Sequence, residues 1–175
     1  MCIRDRADAS SETKHLRDKD ELYEVYDDSG IVCMYLTVSR GNSSENTDHS
    51  WAEINTYSVY DYADMGVARY QVMGLLQAGD EDGPVAGEVG YGEEAPNATV
   101  QVRGQTSSGY TQKNYKVELK KGKGTWRQQR AIALNKHMGE GMRFRNKMAY
   151  DLIRGIPQMM GLRTQFVHLW AVSYT

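Results

Sequence analysis

Residues 100 to 126 read VQVRGQTSSGYTQKNYKVELKKGKGTW, and six cations fall within them: Arg103, Lys113, Lys116, Lys120, Lys121 and Lys123. An arginine can grip two phosphate oxygens at once with its planar fork, and a loop of small residues lets backbone N–H groups approach an anion closely. Gly104-Gln105-Thr106-Ser107 directly after Arg103 is such a loop. The chemistry open to this stretch is recognition of a polyanion, whether nucleotide phosphates, a phosphorylated protein or nucleic acid. Strand alternation turns Lys116 away from the apolar face of Val117. Lys120, Lys121 and Lys123 read instead as the solvated end of a hairpin.

Other chemistries find little support. The glycines of GKGTW and GYGEE do not have P-loop spacing, so they are read as turns. His15, His49, His137 and His168 stand apart from one another, without the close partners that a zinc site needs, and no metal site is expected. Cys33 lies inside the apolar run IVCMYL and is read as core. Two segments, Asn42-Ser43-Ser44 and Asn97-Ala98-Thr99, fit the N-glycosylation pattern, which is frequent by chance and matters only in a secreted eukaryotic protein.

The elements that would hold the cations follow from periodicity. TVQVRG and NYKVELK alternate with period two, placing Val100 with Val102 and Val117 with Leu119, and are expected to form an antiparallel pair. RFRNKMAYDLIRG (143–155) aligns Phe144, Met148, Leu152 and Ile156 on one helical stripe before the stop signals Gly155 and Pro157. GIVCMYLTVS (30–39) reads as a buried strand, 51–62 as a Tyr-rich strand region, 66–79 as a strand or a helix, 80–98 as an exposed acidic excursion, and TQFVHLWAV as a last strand. Strands, a helix and a further strand give an α+β class: an antiparallel sheet with one main C-terminal helix.

The chain has 175 residues, 40% hydrophobic and 25% charged, enough for one compact domain and without an apolar run long enough for a membrane helix. Its net charge of −2 hides an asymmetry. Residues 1–98 hold 20 acids and 7 bases (−13), and residues 99–175 hold 3 acids and 14 bases (+11). Two solvated faces of one domain attracting each other is one reading, and a basic surface for a polyanion is the other. The ends MCIRDR and VSYT look like translated library adapter from a shotgun, metagenomic assembly. The expected division is 1–29 as tag plus polar linker, 30–171 as the domain, and 172–175 as an adapter-like tail.

Several of these segments occur together in one order: Arg103-Gly104-Gln105-Thr106-Ser107, Gln112-Lys113-Asn114-Tyr115-Lys116-Val117, Ala133-Leu134-Asn135, Arg145-Asn146-Lys147-Met148-Ala149-Tyr150-Asp151-Leu152 and Phe166-Val167-His168-Leu169-Trp170. This composite resembles the CotH kinase family of spore-coat-type protein kinases. The RGNSS at 40–44 matches the family loop more literally, but only the loop at 103 is followed by the K-x-Y-K strand and the helix. The resemblance implies the front, N-lobe-like part of an atypical protein kinase that uses ATP and Mg2+ to phosphorylate Ser or Thr of coat or surface proteins. It implies a bacterial spore-coat or surface location, nucleotide phosphates at Arg103, Lys113 and Lys116, and supporting roles for Asn135, Arg145 and Asn146. The family's metal-binding and catalytic aspartates lie beyond the matched segments, so the chain alone is expected to be inactive. A non-catalytic structural or carbohydrate-binding module, suggested by the Tyr-rich 51–70, is the alternative. Nucleic acid is not an expected partner, since few aromatics are interleaved with the cations.

Overall fold

The computed structural model describes residues 29–139, 141–156, 159 and 161–173. The polar segment 7–28 and the MCIRDR end lie outside them. The chain divides into two compact units. One comprises Asp28–Arg143 with Gln165–Thr175, and the described part of the other lies within Phe144–Thr164.

The larger unit is built on a seven-stranded sheet. Its strands are β1 (Ile31–Ser39), β2 (Val72–Asp80), β3 (Gly83–Pro84), β4 (Ala98–Arg103), β5 (Asn114–Leu119), β6 (Ala131–Leu134) and β7 (Phe166–Ser173). The order is β6-β5-β4-β2-β1-β7, with β3 paired to β2. The expected β4–β5 pair is present and antiparallel, with Val100 opposite Val117 and Arg103 opposite Asn114. The sheet is mixed rather than purely antiparallel, because β7 lies parallel to β1, with Met34 opposite Leu169. Val172 and Ser173, within the stretch read as tail, continue this pairing opposite Thr37 and Val38.

Alternation sends Met34, Leu36 and Val38 of β1, Val72, Leu76 and Ala78 of β2, Ala98 and Val100 of β4, Val117 and Leu119 of β5 and Ile132 of β6 to one face. Burying each of the larger of these side chains contributes about 1.5–3 kcal/mol. Ile54 and Val89 complete that core, with Trp51, Tyr70, Tyr115 and Trp126 packed at its margin.

Residues 51–62, read from sequence as strand, form two short helices, α1 (Trp51–Thr56) and α2 (Val59–Met65). The reason is local. Ser50 and Glu53, and then Ser58 and Asp61, make reciprocal capping boxes in which each serine accepts from the third helical N–H and each carboxylate accepts from the serine N–H. These contacts satisfy N–H groups that open a helix, and they outweigh the strand preference of the tyrosines. Of the segment 66–79, only Val72 onward is strand.

In the other unit, the expected helix spans Arg145–Arg154, here α3. Asp151 meets Lys147 at 3.1 Å and Arg154 at 3.6 Å, the i,i+4 and i,i+3 neighbours of a helical surface. Lys147 Nζ also donates to the Thr164 carbonyl. No residue of α3 is buried, and the stripe Met148 and Leu152 is exposed.

Candidate functional site

The cationic residues of β4 and β5 lie on the sheet face opposite the core. On that face Gln101 stands opposite Lys116, and Lys116 opposite Ala133. Arg103 ends β4, and its Nη1 donates to Asn135 Oδ1 at 2.7 Å, just past the end of β6. The structure thus brings together Arg103 and Asn135, two residues 32 positions apart. Asn114, opposite Arg103, links three segments: its Oδ1 accepts from Lys136 N at 2.7 Å, and its Nδ2 donates to Ser107 Oγ at 3.2 Å.

The loop after Arg103 turns at Gly104, whose φ of +100° favours glycine; a Cβ there would sit 2.0 Å from Ser107 Oγ. A short 3-10 turn, Thr106–Gly109, follows. Ser108 is buried and pins it: its Oγ donates to Gln105 O at 2.6 Å and accepts from Val59 N, the first residue of α2, at 2.9 Å. Lys113 Nζ donates to the Ser108 carbonyl at 2.6 Å. Lys116 Nζ pairs with Glu118 two residues on, at 2.5 Å, and that hydrogen bond is the main cause holding the Glu118 carboxyl below its ordinary range. Arg103 and Lys113 therefore touch neutral oxygens, whereas Lys116 is offset by a carboxylate. Arg145 and Asn146 open α3 in the other unit. Ser108 and Asn114 were not singled out from the sequence, because their partners, Val59 and Lys136, lie 49 and 22 residues away.

Two of the three hairpin-end lysines find acids of the first half of the chain: Lys120 meets Glu45 at 3.4 Å and Lys123 meets Glu93 at 3.8 Å. Most of the aromatic residues behind the alternative reading pack on other rings, while Tyr60 is exposed. Trp51 stacks on Tyr115 with centroids 4.9 Å apart, His49 stacks on Tyr70 at 3.6 Å, and Tyr57, Tyr62 and Tyr70 meet edge to face. Burial, partly countered by a hydrogen bond to Asn55, pushes the Tyr115 hydroxyl up to about 12. Among the described residues no group of three or more His, Cys, Asp or Glu could hold a metal ion, and no helix is long and apolar enough to cross a membrane.

The larger unit is thus a mostly antiparallel sheet with a pinned, small-residue loop at the end of β4 and cations on its open face. Residues 100–171, less than half of the 175, match the family described as CotH kinase protein, which supports a CotH-like assignment. The match begins in β4 and covers the loop, β5, β6, α3 and most of β7. No curated protein and no solved structure matches the chain.

Proposed function

We propose that this chain forms the nucleotide-facing front part of a CotH-like protein kinase that transfers phosphate from ATP to Ser or Thr hydroxyls of a protein substrate. The observation that carries the reading is the position of Arg103. It lies within the matched region, at the end of a paired strand, beside a loop fixed by Gly104, Ser107 and Ser108, and its guanidinium is met by the neutral amide of Asn135. Phosphoryl transfer relies on positioning and charge neutralisation, so an arginine held at the mouth of a rigid loop is suited to nucleotide phosphates. Lys113 would approach the same anion after exchanging the Ser108 carbonyl for a phosphate oxygen, and Lys116 would have to give up Glu118. A Mg2+ ion fits less well. The described residues supply no cluster of carboxylates for it, so no step is derived through the metal.

The test is ATP turnover and phosphate transfer by a protein comprising this chain together with the family's downstream region. Arg103→Ala should cost about 2–4 kcal/mol of transition-state stabilisation, roughly 30- to 1,000-fold in rate. Lys121→Ala, at the exposed hairpin end, should leave the rate unchanged. Equal effects from the two variants, both folded by circular dichroism, would overturn the role of Arg103.

A further inference from the structure

The two segments with the N-glycosylation pattern occupy opposite environments. Asn42 is exposed in the connection between β1 and α1. It caps the 3-10 turn Ser43–Glu45 through its Oδ1, which accepts from Glu45 N at 2.9 Å and from Ser44 Oγ at 2.7 Å. Its Nδ2 makes no hydrogen bond among the described residues. Asn97 is fully buried, and there both ends of the amide are used: Oδ1 accepts from Leu76 N at 2.8 Å and Nδ2 donates to Leu76 O at 2.9 Å.

We infer that Asn42 is an acceptor site for an N-linked glycan and that Asn97, despite its matching sequence, cannot carry one in the folded chain. The modification forms a bond between Asn Nδ2 and the anomeric carbon of an oligosaccharide delivered on a lipid pyrophosphate. The anomeric carbon–oxygen bond breaks, the lipid pyrophosphate leaves with its electron pair, and one amide proton is lost to the transferase. The amide oxygen is untouched. At Asn42 the product keeps every cap contact, because all of them are made to Oδ1, and the glycan projects from an exposed loop. At Asn97 the product would place a sugar on the atom bonded to Leu76 O, inside a core without room for it.

The experiment translates the full chain behind a cleavable secretory leader into microsomes that contain the lipid-linked donor and its transferase. Protease-resistant protein is then recovered, and each site's occupancy is read by mass spectrometry after enzymatic deglycosylation in heavy-oxygen water. The expected result is a glycan on Asn42 and none on Asn97. Ser44→Ala, which removes the required hydroxyl but leaves the Asn42 cap oxygen, should abolish the modification, and Thr99→Val should leave it unchanged. An unmodified Asn42, a modified Asn42 confined to protease-sensitive chains, or a protease-resistant chain carrying sugar on Asn97 would each overturn the assignment.

Discussion

Replacing Asn97 with alanine should be among the most costly single changes in this chain, although it removes only a polar side chain. Asn97 sits immediately before β4, at 0% exposure, and its amide fills both backbone groups of Leu76 in the middle of β2, at 2.8 and 2.9 Å. Its own backbone bonds, N–H to Gly74 O and C=O from Lys120 N, survive the substitution. What is lost is the partner of one buried N–H and one buried carbonyl. Leaving a buried polar group unsatisfied costs about 1–3 kcal/mol each, so the pair should cost roughly 2–6 kcal/mol. A domain's whole stability is about 5–15 kcal/mol, so this fraction is large enough to measure without ambiguity. Urea unfolding followed by circular dichroism should show a lower midpoint, and the thermal midpoint should fall by roughly 2–4 °C for each kcal/mol lost. The surface control Lys121→Ala should stay within about 0.5 kcal/mol of the parent. A loss below about 1 kcal/mol for Asn97→Ala would mean that water or a shifted backbone satisfies Leu76, and the amide bridge would not be what joins β2 to β4 at this point.

Two further outcomes follow from local chemistry. The hairpin Trp126–Gln129 closes with reciprocal 2.9 Å backbone bonds while Arg127 and Gln128 hold φ of +48° and +64°, so Gln128→Gly should raise stability by about 0.5–1 kcal/mol, and a lowered unfolding midpoint would refute the strain. Hydrogen bonds from Ser50, first from its backbone N–H, hold the Glu53 carboxyl below its ordinary value of 4.5; a lowered folded value contributes stability above 4.5 that is lost as pH falls below it, so Glu53→Gln should flatten the acid limb of the stability profile, and an unchanged limb would count against the capping box.

Alternation alone made β4 and β5 legible, because Val100 and Val102 share one face of the first strand and Val117 and Leu119 the same face of the next. The matched family segments and Arg103 were legible for a related reason: they are contiguous runs. The helices α1 and α2 were missed because the tyrosines of 51–62 were weighed by strand preference, while the decisive signal was Ser50 with Glu53 and Ser58 with Asp61, three residues apart in each case. The parallel placement of β7 beside β1 was not legible at all. It joins Ile31 to Phe166 across most of the chain, and nothing in either strand's own pattern names its neighbour. The same distance hid Ser108 and Asn114, each of which looks like an ordinary turn residue until Val59 and Lys136 are brought to it.

The cations of 100–126 separate once their partners are known, and the separation bears on why a chain of net charge −2 gathers them there. Lys116, Lys120 and Lys123 each meet a carboxylate, of Glu118, Glu45 and Glu93. Exposed pairs of this kind contribute about 0–1 kcal/mol each, so they do little for stability, but they do cancel charge where they form. Two of the three acids come from the acidic first half of the chain, which is the attraction between oppositely charged faces that the charge asymmetry allows. Arg103 and Lys113 instead donate to an amide oxygen and a backbone carbonyl, at 2.7 and 2.6 Å. Those contacts fix the side chains without neutralising them. Lys113 also helps to hold the Asp61 carboxyl below its ordinary range, although the Ser58 backbone N–H is the largest influence there. Positive charge is therefore offset by carboxylates at Lys116, Lys120 and Lys123, while the hydrogen bonds of Arg103 and Lys113, on either side of the loop 104–109, go to neutral oxygens.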